Sequence, residues 1–530
     1  MGARTERLRR AVHVARVARR SKLLRALREI GVVGERPATR EAAREFRLAL
    51  EELGTTYIKL GQLLSSRSDL LPDVYIEELS SLVDDVPPVP FGDIERVLHS
   101  ELDRDLFVRV DPQPLASASV AQIHRGQLAN GAEVAIKVRR PGIEEIVARD
   151  LDLIRSTARL LDKRSEKAQL LQVEALADEL DVHLRGELNL EEEAHNTELI
   201  GGFVSDDPNL VVPRVIRPYV TKSVLVLELV EGEKVTPAHR LEPERARDLA
   251  RDLFRFYVRQ VTLEGVYHAD PHRGNFLLTS DGRLALLDFG LLGRLDDDTR
   301  SSLALLLIAV AKNRAEDVAD LILDLSLTTL GSDEPAFVHD IRRKLPRYHW
   351  RPLKDIRAGE ALADLQRIAL RYGIRLPPAF ALVGKTLSQA DSVARMLHPE
   401  LDPIELLESE ALNLMLEEAE RRLEPRALLS YGYTQFDALA RLPRRVAQVV
   451  DRLEGGTIKV GVVPTDLGDI ERVLRSVANR LGAAMIVVGL LVSSALMARV
   501  DHTVAMVGFT LSFLLGLYMV WKIVRTPGEL

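Results

Sequence analysis

Three short segments carry the residue types that phosphoryl transfer from a nucleotide requires. His268-Ala269-Asp270 is followed closely by Asn275, and an apolar run, Leu284-Ala285-Leu286-Leu287, delivers Asp288-Phe289-Gly290. Such a reaction uses an acid near the acceptor, oxygen ligands for Mg²⁺, and a cation on the phosphates. Asp270 is the candidate acid or base, and Asn275 and Asp288 are the candidate metal ligands. The cation is offered by Val134-Ala135-Ile136-Lys137. Lys137 stands among apolar neighbours, and a lysine so placed requires a buried acidic partner. Glu193 is the natural candidate, although spacing alone does not choose among Glu191, Glu192 and Glu193.

The elements that would position these groups follow from periodicity. Two β-like runs, Val120 to Leu128 and Glu133 to Val138, flank Asn130-Gly131, the strongest short signal for a hairpin. Lys137 therefore falls on the hairpin's second strand. A helical stretch from about 143 to 200 follows, then a strand-like block, Ser223 to Val230, in which Glu228 and Val230 are candidate nucleotide contacts. Residues 300 to 450 read as helical, broken at Gly331 to Pro335 and at Pro377-Pro378. A small sheet with one packed helix and a mostly helical remainder predicts an α+β, two-lobed protein-kinase-like fold.

Three departures from a protein kinase narrow the chemistry. The segment from His268 to Asn275 fits the catalytic-loop pattern H-R-D-x-x-x-x-N except at Ala269, which replaces the arginine that reads an activation-loop phosphate. No glycine-rich loop precedes the hairpin. Ala116, Ser117, Ala118, Ser119 and Val120 stand there, and their Cβ atoms restrict how closely backbone can wrap phosphates. No Ala-Pro-Glu follows Gly290, so a peptide-docking segment has little room and ordinary Ser/Thr/Tyr kinase activity is not expected.

A chain of 530 residues predicts two or more domains. The absence of cysteine excludes disulfides, zinc fingers and thiol catalysis, and a formal net charge of -7 argues against nucleic-acid binding. Charge is unevenly spread. From Arg4 to Arg28 the chain is rich in arginine against one acid, Glu6, with Leu8, Val12, Ala15, Leu23 and Leu27 at roughly helical spacing. This predicts a helix lying on an anionic membrane surface, a solvated helix or an organellar presequence, and spacing does not decide among them. Residues 40 to 84 read as helical, with Leu48, Leu50, Leu53, Ile58 and Leu60 on one side. The prolines at 87, 88 and 90 then mark a domain edge near residue 90. A second linker runs from Glu454 to Asp469. Beyond it, Leu481 to Ala498 and Thr503 to Trp521 are apolar runs near the length of a bilayer span, joined by Arg499-Val500-Asp501-His502. They predict a transmembrane hairpin, and Arg472, Arg475, Arg480, Lys522 and Arg525 place both its ends on the cytosolic side.

With these departures the chain resembles the UbiB family of atypical kinase-like proteins, linked to ubiquinone and other prenyl-lipid metabolism. The likeness covers roughly residues 40 to 530. Lys59-Leu60-Gly61-Gln62 looks like the family's K-x-G-Q segment, and Ala116 to His124 looks like its alanine-rich nucleotide loop. Lys59 and Gln62 lie one helical turn apart and share a face. The resemblance implies that this face covers the active site and excludes peptides, which makes Lys59, Gln62 and Glu187 candidate regulatory residues. The family's E-x-D appears as Glu187-Leu188-Asn189, so a charge is lost at the third position while Glu187 can still pair with Lys59.

ATP and Mg²⁺ are the implied cofactors. The leading expectation is a membrane-anchored ATPase supporting prenyl-lipid metabolism, with a small-molecule or lipid kinase and a non-catalytic nucleotide-binding scaffold as alternatives. Expected partners are membrane lipids, prenyl-quinone intermediates, a lipid-biosynthesis complex and a second copy of the chain. The expected location is a bacterial inner membrane with the kinase-like domain on the cytoplasmic side. The expected domains are a basic segment over 1–39, a helical extension over 40–90, an N-lobe over 91–232, a helical C-lobe over 233–420, a tether over 421–470 and the hairpin over 471–530.

Overall fold

Gly131 turns the hairpin with φ 85°, a left-handed angle that glycine adopts without steric cost. The turn is longer than the two-residue type: Gly131 N–H donates to Leu128 O, and Leu128 N–H donates to Ala132 O, each at 2.9 Å. It joins two strands of a four-stranded antiparallel sheet. The strands are β1 (Phe107–Ser117), β2 (Ala121–Leu128), β3 (Glu133–Arg139) and, beyond the two-residue β4 (Leu210–Val211), β5 (Val224–Glu228), in the order β1-β2-β3-β5. β1 is absent from the sequence reading because Pro112 and Pro114 lie in it. It is an edge strand with register shifts, where a missing N–H is tolerated.

The computed structural model describes residues 2–21, 25–26, 29, 37–65, 71–82, 86–164, 173–237, 241–328, 332–346, 358–407, 494 and 502–525. The chain divides into two units, 1–424 and 425–530. Within the first, β3 alternates so that Val134, Ile136 and Val138 are buried on one face of the sheet. Helix Phe91–Glu101, which begins at the predicted domain edge, packs Ile94 and Leu98 on that face. Among the described residues, the helical stretch predicted from about 143 to 200 contains the helices Ile143–Arg164, Val173–Glu187 and Leu190–Phe203. The Glu187-Leu188-Asn189 segment joins the last two. Residues 40 to 84 likewise divide into Arg40–Leu53, Thr55–Ser65 and Asp73–Leu79, with Gly54 at φ 92° ending the first. That break separates the apolar positions grouped from sequence, and Leu48 is exposed while Ala42, Phe46, Ala49 and Leu50 are buried.

The C-lobe is built around helices Pro243–Arg259 and Pro378–Leu397, which pack on each other and share one apolar core that includes Phe254, Tyr257, Phe276 and Phe289. Small strands carry the loops of interest: β6 (Gly232–Lys234), β7 (Val266–His268), β8 (Phe276–Thr279), β9 (Leu284–Leu286) and β10 (Leu292–Arg294). β7 pairs with β10, and β8 pairs with β9, so the segments before Asp270 and before Asp288 are each held by a ladder. Helix Asp297–Ala311 follows β10 directly, which leaves the segment after Gly290 short.

The N-terminal helix Gly2–Arg20 packs by a side other than the apolar positions read from its sequence, which stay exposed. Val17 is buried and Val14 partly so, whereas Leu8, Val12 and Ala15 are exposed. Arg10 turns inward on the packed side. Its Nε and an Nη each reach an oxygen of Asp150 at 2.7 Å, the same Nη donates to Leu53 O, and the guanidinium lies 5.7 Å from the Tyr57 ring centre. Asp150 is fully buried.

In the second unit, the run from 481 to 498 lies outside the described residues except Ser494. Side chains of helix His502–Arg525 are described only from 506 to 518. Among the described residues no helix is long and apolar enough to cross a membrane. The tether from 421 to 470, with the linker from 454 to 469, lies wholly outside the described residues.

Because a buried carboxylate stripped of its cation is costly, Arg10→Met should lower unfolding free energy by about 3 kcal/mol. Arg10→Met/Asp150→Leu should recover most of the loss. Urea denaturation of the two variants against the parent checks this, and equal destabilisation of both would show the pair to be incidental.

Candidate active site

β3 presents Lys137 on the face opposite Ile136, toward helix Leu190–Phe203. Of the three acids opening that helix, the fold selects Glu193. It is buried, and its Oε1 lies 2.5 Å from Lys137 Nζ. Asp288 completes the triad, with Oδ1 at 3.5 Å from the same ammonium. Asp288 has φ 59°, a left-handed angle that Asp tolerates better than most side chains, and its Oδ1 accepts from Gly290 N–H at 3.2 Å. Phe289 is buried against the His268 ring, and its carbonyl accepts from Asn196 Nδ2 at 3.0 Å. These bonds aim the Asp288 carboxylate at Lys137.

The catalytic-loop residues are fixed from a different direction. Asn275 Nδ2 donates to Asp270 O at 3.2 Å, and Leu287 N–H donates to Asn275 O at 2.8 Å, tying the two loops together. Asp270 Oδ1 receives Lys385 Nζ at 2.9 Å and Gln389 Nε2 at 3.0 Å, both from helix Pro378–Leu397. Lys59, on helix Thr55–Ser65, reaches Glu187 at 2.8 Å, and Gln62 Nε2 donates to Leu82 O at 3.4 Å.

Electrostatics follow the geometry. Burial disfavours the Lys137 ammonium, but Asp288 and Glu193 outweigh it and hold the lysine above its ordinary value. Burial pushes the Glu193 carboxyl up to about 7 against the pull of Lys137, with Asp288 adding to the rise. The result is one cation facing two carboxylates. Burial also works against ionised Asp270, yet Lys385 and His272 override it and keep the carboxyl below the usual range. His268 is pushed down to about 4 by burial, despite Asp288 and Asp270 nearby.

One open cleft gathers these groups. Lys137, Glu193, Asp270, Asn275 and Asp288 line it, as do Ala118, Ser119 and Val120 from the alanine-rich loop and Lys59, Gln62 and Glu187 from the K-x-G-Q side. Four sequence candidates lie outside its lining. Ala116 and Ser117 end β1, where Ser117 Oγ accepts from Arg140 at 2.7 Å. Glu228 meets Arg214 at 3.0 Å, and Val230 follows β5. Asn189 is also outside, with its side-chain oxygen buried and unpartnered. The residues missed by sequence reasoning are Lys385, Gln389, His183 and His272. Only the helical spacing of Lys385 and Gln389 signals a shared face, and nothing local says what that face meets.

The cleft suits a polyphosphate. The Ser119 hydroxyl is buried there with no partner, a donor left for an oxygen to accept from. Among the described residues no group of three His, Asp or Glu side chains could hold a metal ion by itself. Asn275 and Asp288 suit Mg²⁺ instead, which commonly takes one or two protein oxygens and completes its shell with phosphates and water.

Residues 81–322 match the ABC1 atypical kinase-like domain, 341–402 the UbiB helical domain, and 465–525 the ABC1/UbiB kinase-like C-terminal domain. An uncharacterised protein of Synechocystis is 37% identical over 357 residues, which is 64% of this chain and 87% of that one. A probable protein kinase UbiB of Marinobacter nauticus is 37% identical over 67% of each chain. A solved chain of Mycobacterium tuberculosis, determined in complex with erythromycin, is similar at 25% identity and a TM-score of 0.44, over 68% of this chain and 96% of that one.

His268 should leave a signature in stability. An unfolded histidine titrates near about 6.5, so between that pH and about 4 the unfolded chain binds the proton that the folded chain refuses. Stability from this group is full above the unfolded value and is lost as pH falls toward 4. Glu193 acts with the opposite sign, because its folded carboxyl is raised. The comparison is therefore parent against His268→Phe: the urea midpoint at pH 5, relative to that at pH 7.5, should be higher in the variant than in the parent. Identical pH slopes would mean that the ring is not held neutral.

Proposed function

Because the chain belongs to the ABC1/UbiB family of atypical kinase-like proteins, we propose that it is a membrane-anchored ATPase that binds Mg-ATP in this cleft and supports ubiquinone or another prenyl-lipid pathway. The observation that carries this reading is the convergence of Lys137, Asn275, Asp288 and the unpartnered Ser119 hydroxyl on one cleft. Lys137 would contact the α and β phosphates, held in place by Glu193. Asn275 and Asp288 would hold Mg²⁺, which supplies charge neutralisation on the phosphates. Asp270 orients the acceptor and receives its proton.

Occlusion favours water or a small amphiphile over a peptide as acceptor. The K-x-G-Q helix lines the same cleft, and Leu63, Leu180, Leu184 and Leu382 give that side an apolar wall. This wall also supports lipid phosphorylation as a second reading. Membrane attachment rests on the two C-terminal apolar runs. Supporting it, Val507, Phe513, Leu514 and Leu517 are exposed around the last helix, and a Cβ at Gly508 would collide with Ser494 Oγ, a close approach of the kind that small residues permit in membrane spans.

The purified chain in detergent or vesicles should hydrolyse ATP only with Mg²⁺, and Asp288→Asn should cut turnover at least about 100-fold. Full turnover by that variant removes the assignment. An arginine at the centre of a span costs about 2.5–3.5 kcal/mol, so Leu490→Arg/Leu514→Arg should shift the chain from floated vesicles to the soluble fraction. Unchanged flotation would place the anchor elsewhere.

A further inference from the structure

Lys385 lies on helix Pro378–Leu397, inside the segment that matches the UbiB helical domain and outside the one that matches the kinase-like domain. Yet this helix holds the catalytic loop. Gln389, one turn after Lys385, shares Asp270 Oδ1 with it, and the Thr386 hydroxyl donates to His268 O at 3.4 Å. The Lys385 side chain is 25% exposed and lines the cleft beside Asp270.

The charges in the cleft make this position informative. Lys137 answers Glu193 and Asp288, and Lys59 meets Glu187. Arg273, within the catalytic loop, is exposed and outside the cleft lining. Asp270 Oδ1 meanwhile accepts from an ammonium and an amide together, so Gln389 remains as a second donor if the ammonium moves away. Phosphoryl transfer needs a strong base less than it needs positive charge on the oxygens of the transferred group. An ammonium at the acceptor end of the cleft meets that need.

Resting on the ATP reading above, we propose that Lys385 is a catalytic residue supplied by the helical domain, moving from Asp270 to the terminal phosphate of bound ATP. In the transfer, the bond from the terminal phosphorus to the bridging oxygen breaks, and its electron pair leaves with ADP. A bond forms to the oxygen of water or of a hydroxyl acceptor. The acceptor's proton passes to Asp270 and then to solvent, while Lys385 keeps its own protons. Gln389 is a positioning residue that keeps Asp270 in place when Lys385 departs.

Calorimetric titration of the full chain in detergent with Mg-ADP and with the non-hydrolysable analogue Mg-AMP-PNP separates this role from a structural one. Lys385→Met should bind ADP within about twofold of the parent, yet bind AMP-PNP about 10- to 100-fold more weakly, the range of one charge-assisted hydrogen bond. Lys385→Arg should restore most of the difference. If Lys385→Met is unfolded by the carboxylate it strands, Lys385→Met/Asp270→Asn removes both charges and should show the same selective loss. Equal losses for the two nucleotides, or an unchanged affinity for AMP-PNP, would overturn the proposal while leaving the ATP reading in place. A parent chain that binds neither nucleotide would overturn both.

Discussion

Lys137 stands between two carboxylates, Glu193 at 2.5 Å and Asp288 at 3.5 Å, and three parts of the chain are registered through it. β3 supplies the lysine, the Leu190–Phe203 helix supplies one acid, and the loop after β9 supplies the other. A buried ammonium cannot be left unanswered, so the N-lobe sheet, its helix and the C-lobe loop must arrive together. The remaining hydrogen bonds around Asp288 serve the same end. Its left-handed backbone, the Gly290 N–H and the buried Phe289 orient one carboxylate toward one cation.

A second set of constraints reaches the cleft from outside the kinase-like lobes. Helix Pro378–Leu397 grips Asp270 and His268, and helix Thr55–Ser65 brings Lys59 to Glu187 on the other side. Behind that helix, Arg10 ties the N-terminal helix to buried Asp150 and to the end of the preceding helix at Leu53. The cleft is thus walled by segments before and after the catalytic core, which accounts for a chain much longer than that core. The stretch after Gly290 is short, and helix Asp297–Ala311 begins soon after it.

The order of the catalytic elements was legible because each is a local pattern. A hairpin dipeptide between two apolar runs, a His-x-Asp loop with Asn at fixed distance, and an apolar strand ending in Asp-Phe-Gly are all written in neighbouring residues. The same locality explains the misreadings. Prolines disguised β1 because edge placement is a property of the sheet, not of the strand. The helical pattern from 143 to 200 gives no sign of the break at Leu188-Asn189, where the chain turns to present Glu193. What sequence does not carry is which side of the N-terminal helix packs, since that side is chosen by Arg10 finding Asp150.

Sequence alone determined the kinase-like order of the cleft residues: the acid Asp270, the amide Asn275, the second acid Asp288 and the lysine Lys137 are written as local patterns. Tertiary structure alone decided which of three adjacent glutamates answers Lys137, which part of the alanine-rich loop faces the cleft, and that Lys385 and Gln389 attend Asp270. The physical reason is range. Backbone pattern is set by residues within a turn or a hairpin of one another, whereas a buried charge is satisfied by whatever side chain packing brings within about 3 Å, however far away in the chain.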